Sequence, residues 1–163
     1  MWNADLLPMR ALPKSNERAV AALIGKAGEA FVAAELLRRG VHVAYPAYDG
    51  GVDLLAYREH KFNRGVPIQV KARSSTCYNF QKSWFRIERL VLVQIWYVWQ
   101  TAMNPQFYIF SRFPEHIEDA LGKHSASRSW IDKGGFNVTE PSADDIERMQ
   151  RHRDKWERIL DQL

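Results

Sequence analysis

Hydrophobic positions change their period several times along the chain. Over residues 16–39, "NERAVAALIGKAGEAFVAAELLRR", Val20, Ile24, Ala27, Phe31 and Ala34 recur at three-to-four spacing before Gly40, which predicts one long helix with a buried stripe. Gly25 and Gly28 each cost about 1 kcal/mol relative to alanine inside a helix, so a close neighbour is expected against that turn. The period then shortens to two, and residues 41–45, 52–57 and 66–72 predict three strands. The last two are joined by the eight-residue loop "REHKFNRG". A short strand is expected near Phe85 and a helical turn near Leu90. "IWYVWQ" and "QFYIFS", separated by "TAMNP", predict a hairpin of buried strands. "PEHIEDALGKH" predicts a short helix and "FNVTE" a last strand. Residues 141–163 predict a charged helix docked through Ile146, Met149, Trp156, Ile159 and Leu163. The order is that of a mixed α/β domain over residues 16–163, behind an irregular arm over residues 1–15.

Composition adds limits. A hydrophobic content of 46% in 163 residues supports one core, and the net charge of +4 says little about partners on its own. Its distribution says more: between Arg58 and Arg89 eight cations face two acids, a surplus larger than that of the whole chain. Cys77 is the only cysteine, which excludes an intrachain disulfide and a cysteine-based zinc site and fits an intracellular, cytoplasmic setting. The N-terminal residues lack a continuous signal-peptide core. The most apolar run, residues 90–99, is too short to span a bilayer, so no membrane association is expected. His42, His60, His116, His124 and His152 have no metal-ligand spacing.

The chemistry-bearing residues sit on the second and third strands. Side chains alternate along a strand, so Gln69, Lys71 and Arg73 share one face while Ile68, Val70 and Ala72 share the other. If the two strands pair as a hairpin, Asp53 lies near Gln69 and Lys71. On the long helix, Glu29 has Ala22, Gly25, Val32, Ala33 and Leu36 as neighbours, and an acid in such surroundings calls for a cation. Lys26, three residues earlier, is the local candidate; Glu35 faces elsewhere and reads as structural. Downstream, Tyr78, Phe80 and Trp84 either stack on bases or form core beneath a loop.

Glu29 in "GKAGEAFVAAELLRRG", Asp53 in "GGVDLLA" and Lys71 in "IQVKARS" together resemble the PD-(D/E)xK nuclease superfamily. The glutamine of "IQVKA" stands where the commonest form carries an acid and is similar to Mrr-type restriction enzymes and Holliday-junction-resolvase-like relatives. The resemblance implies a restriction-endonuclease-like αβββαβ core, with a mixed central sheet flanked by helices and an extra C-terminal helix. It implies that Asp53 and Gln69 bind a divalent cation, that Lys71 positions or activates the attacking water, and that Glu29 assists the metal. Magnesium, with manganese as a substitute, takes oxygen ligands, and the Val70 carbonyl supplies one more. Gly50 and Gly51 would admit a phosphate backbone, and Arg73, Lys82, Arg86 and Arg89 would contact phosphates. The expected activity is metal-dependent DNA endonuclease, as a homodimer where both strands are cut. The alternatives are a non-catalytic nucleic-acid-binding module on the same fold and a protein-interaction domain.

Overall fold

The computed structural model describes residues 17–48, 50–59, 61–97 and 105–163. The arm at 1–15, His60, Trp99 and most of the "TAMNP" connection lie outside the described residues. Helix α1, Glu17–Arg38, ends where Gly40 takes a left-handed φ of 73°. There the Gly40 and Val41 amides donate to the Leu37 and Leu36 carbonyls, closing the helix end as a Schellman motif. Val32, Ala33 and Leu36 are buried, with Ile24, Ala27 and Phe31 packed beside them. Ala34 is exposed, so the buried stripe is rotated from the one expected.

Strands β1 (His42–Ala44), β2 (Leu54–Tyr57) and β3 (Val66–Arg73) form an antiparallel meander. Strand β5 (Val91–Trp96) runs parallel to β3, and β6 (Gln106–Phe110) pairs antiparallel to β5, giving the order β1-β2-β3-β5-β6. Every residue of β5 is buried, as expected of a central strand covered on both faces. One face carries α1. The other carries a two-stranded sheet of β4 (Tyr78–Gln81) and β7 (Gly135–Val138), with helices α2 (Glu115–Leu121), α3 (Arg128–Lys133) and α4 (Ala143–Gln150). Among the described residues no helix is long and apolar enough to cross a membrane.

Three local expectations differ from this architecture. The strand near Phe85 is a 3-10 segment, Lys82–Arg86; the strand lies earlier, where Tyr78 and Phe80 alternate into the core. The crossover from β3 to β5 therefore holds β4 and this segment instead of an α-helix. The charged C-terminal stretch is two helices, α4 and α5 (Glu157–Leu160), rather than one. Between them the chain pairs with the free edge of β6: the Ile109 amide donates to the His152 carbonyl and the Asp154 amide to that of Phe107. Covering an open strand edge satisfies backbone groups that a continued helix would leave exposed. Arg158 secures the turn by donating to the Ile109 carbonyl and to His152 Nδ1, so the His152 Nε2–H is left to donate to Asp119. Burial pushes both His152 and the neighbouring His116 down to a pKa of about 4.

The two helix glycines separate cleanly. A Cβ at Gly28 would stand 2.5 Å from the Cβ of Ala72, whereas one at Gly25 would meet nothing within 4 Å. Only Gly28 marks a close approach of α1 to β3. Gly28→Ala should lower stability by about 1–2 kcal/mol, because backbone-anchored overpacking outweighs the gain in helix propensity. Gly25→Ala should raise it by about 1 kcal/mol. Urea denaturation of the two variants checks both signs; equal effects would contradict this helix–sheet contact.

Candidate functional site

Strands β2 and β3 part company just before Leu54. Leu54 pairs with Ile68, and the Asp53 amide donates to the Ile68 carbonyl at 2.9 Å. One step farther along β3 the backbone of β2 is gone, and Asp53 takes its place: its Oδ2 accepts from the Val70 amide at 2.7 Å. The carboxylate thus completes the ladder at a fork in the sheet. A residue's N–H and C=O point to the same strand edge, so the Val70 carbonyl also faces this fork.

Glu29 reaches the same place from the other side. Asp53 and Glu29 line one cleft of about 370 Å³, together with Ala22, Gly25, Lys26, Tyr45, Pro46 and Val52. The missing side chain at Gly25 leaves room beside Glu29, which is why that glycine has space around it. The Glu29 side chain is 13% exposed and forms an ion pair with Lys26 at 2.8 Å, the local partner that the sequence offered. Gln69 and Lys71 do not line this cleft. Their face of β3 is the one turned toward the second sheet: Gln69 is in register with Leu92 and Lys71 with Gln94 on β5, and Leu92 belongs to the cluster beneath β4. Gln69 is 5% exposed beneath the glycine loop, its Nε2 3.9 Å from a Cβ placed at Gly51. Its Oε1 is buried with no hydrogen-bond partner. Lys71 is half-buried, its Nζ 5.1 Å from the centre of the Trp84 ring, a cation–π contact that holds the ammonium in place.

A divalent cation of the kind the sequence implies would have to be held by these groups. Among the described residues no three or more His, Cys, Asp and Glu side chains converge as a metal site. Magnesium, however, commonly takes only one or two carboxylates and fills its octahedron with water and phosphate oxygens. Asp53 and Glu29 meet that smaller requirement in number, whereas the unpartnered Gln69 Oε1 lies outside their cleft. The residues fit a weakly held magnesium and not a preformed, all-protein cage.

The basic stretch divides by environment. Arg73 donates to Asn79 Oδ1 at 2.7 Å, and Arg89, with φ 60°, donates to the Gln162 carbonyl at 2.6 Å; both arginines tie the chain to itself. Lys82, whose Nζ also lies 5.1 Å from the centre of the Trp130 ring, and Arg86 line an open groove of about 480 Å³ with Ser83, Asp132, Lys133 and the Gly134–Gly135 pair. Lys133 comes from α3, a helix that the sequence reading missed because its six residues carry only one buried hydrophobic, Trp130. Tyr78 and Phe80 are fully buried, which assigns them to the core and removes them as stacking residues. Tyr45, at the rim of the cleft, was read only as the end of a strand. No family description, curated protein or solved structure matches the chain.

Proposed function

We propose that this chain is a metal-dependent endonuclease of the restriction-endonuclease-like fold that hydrolyses DNA phosphodiester bonds at the β2–β3 fork. The observation that carries the reading is the fork itself. Asp53 is hydrogen-bonded to Val70, the residue between Gln69 and Lys71, and shares a cleft with Glu29. Glu29 and Asp53, twenty-four residues apart in sequence, thereby share the cleft, while Gln69 and Lys71 flank Val70 on the opposite face of β3. The element order supports it: a helix, three antiparallel strands, a crossover and a strand parallel to the third. Where the family order has a second helix, this chain has β4 and the 3-10 segment. A homodimer would supply the second site needed to cut both strands.

Bound magnesium would neutralise the phosphate and acidify water there. The chain's own residues prepare that step. The Val70 amide fixes the Asp53 carboxylate, whose other oxygen would be available to the cation, with Glu29 across the cleft and the Val70 carbonyl at the fork as further oxygen donors. Lys71, steadied by Trp84, supplies positive charge against the charge that builds on phosphate oxygens. A second reading, a binding module without catalysis, is favoured by the Glu29–Lys26 ion pair and by the absence of Gln69 and Lys71 from the cleft.

Plasmid cleavage separates the two. Supercoiled plasmid should be cut with magnesium and not with chelator. Lys71→Met should abolish cutting while changing stability by less than about 1 kcal/mol, as for a side chain outside the core. Asp53→Asn keeps an oxygen for the Val70 amide, so it should stay folded and lose both cleavage and cation binding. Wild-type rates in folded Lys71→Met would sink the catalytic assignment, and binding without cleavage would leave the module.

The groove gives an independent check. Lys82→Ala, Arg86→Ala and Lys133→Ala should each lower the salt slope of DNA binding by about one unit per lost phosphate contact. Arg73→Ala and Arg89→Ala should leave the slope alone and cost about 1 kcal/mol of stability, the worth of an internal hydrogen bond. The opposite partition would show that the arginines, and not the groove, meet the nucleic acid.

A further inference from the structure

The cleft between Glu29 and Asp53 has an aromatic rim that the proposed chemistry does not use. Tyr45, directly after β1, lines the cleft beside Pro46 and is 60% exposed. Tyr48 is 82% exposed, and a Cβ at Gly50 would lie 3.5 Å from its ring, so that ring sits against the glycine loop that leads into Asp53.

The other tyrosines show how unusual this is. The chain has six. Tyr78, Tyr97 and Tyr108 are buried, with hydroxyls bonded to Ala120, Ile24 and Gln106, and Tyr57 stacks on His42 with ring centres 5.4 Å apart. Among the described residues, Tyr45 and Tyr48 meet neither another ring nor a hydroxyl partner. One exposed aromatic needs no explanation, but two on one short connection, the first of them lining a cleft, are worth a functional reading. A cleft of about 370 Å³ is at the small end of ligand-sized clefts, which start near 300 Å³.

We propose that Tyr45, with Tyr48 behind it, is a base-stacking platform, and that the strand taken by the cleft is unpaired: single-stranded DNA or the splayed strand of a branched duplex. This inference rests on the nucleic-acid reading above and names its substrate class. Every base presents a π-face, so the platform accepts any sequence and rejects stacked, paired bases, whose faces are already covered. Tyr45 lines the same cleft as Glu29 and Asp53, so a base stacked on it would be held beside the carboxylates.

The test is equilibrium binding of the full-length chain to a fluorescein-labelled single strand and to its duplex, read by anisotropy, with calcium replacing magnesium so that DNA is held rather than cut. Single strand should bind about tenfold more tightly than duplex. Tyr45→Ala should weaken single-strand binding about tenfold, a typical loss for one stacked base, and leave duplex binding within about twofold. Tyr45→Phe, which keeps the ring, should bind as wild type. Circular dichroism checks that the alanine variant is folded, as its exposed position implies. If DNA binds and Tyr45→Ala weakens neither form, or both equally, the platform is wrong and the endonuclease reading stands. If neither form binds wild-type protein, the nucleic-acid reading itself falls, and the platform with it.

Discussion

A single hydrogen bond, from the Val70 amide to Asp53 Oδ2, sets the geometry on which the site depends. Where β2 leaves β3, the Val70 amide would be an unpaired donor at the margin of the core, at a cost of about 1–3 kcal/mol. Asp53 removes that cost and in return is held with its carboxylate in the fork. The same interaction therefore stabilises the sheet and orients an acid. A residue with one oxygen committed to structure and one facing a cleft is suited to hold a cation without being free to rotate away from it.

The second constraint is the contact between α1 and β3. Gly28 is where α1 comes nearest to β3, against Ala72, and one turn on either side the helix presents Gly25 and Val32. That approach fixes the height of Glu29 above the fork. The helix pays for two glycines, and they serve different ends: Gly28 admits the strand and Gly25 opens the cleft. On the opposite face, Lys71 is steadied by Trp84 of the 3-10 segment.

What could be read from sequence followed from periodicity and parity. The long helix, the meander, β6 and the alternation that sets Gln69 and Lys71 apart from Val70 all emerge from local pattern, whereas β5 begins at Val91, four residues before the strand expected at 95–100. So did the nearness of Asp53 to β3, although its bond to a backbone amide could not, because register and the point where strands diverge are set by tertiary packing. The same limit hid the break between α4 and α5. The local pattern there continues a helix, and only the unpaired edge of β6 supplies the competing hydrogen bonds. Arg73 and Arg89 looked like Lys82 and Arg86 as charges in a row. Their separation depends on Asn79 and the Gln162 carbonyl, partners that no spacing rule identifies.

The central claim is that the fork is where a divalent cation and a phosphate meet, and it can be tested without any assay of activity. Manganese titrated into ¹⁵N-labelled protein broadens amide resonances in proportion to their closeness to the ion. The account expects the amides of Asp53, Val70 and Glu29 to disappear first, at manganese well below the protein concentration, and to be restored by excess magnesium. Broadening that begins elsewhere, at Asp119 or Asp145 for instance, with the fork resonances unchanged, would contradict it.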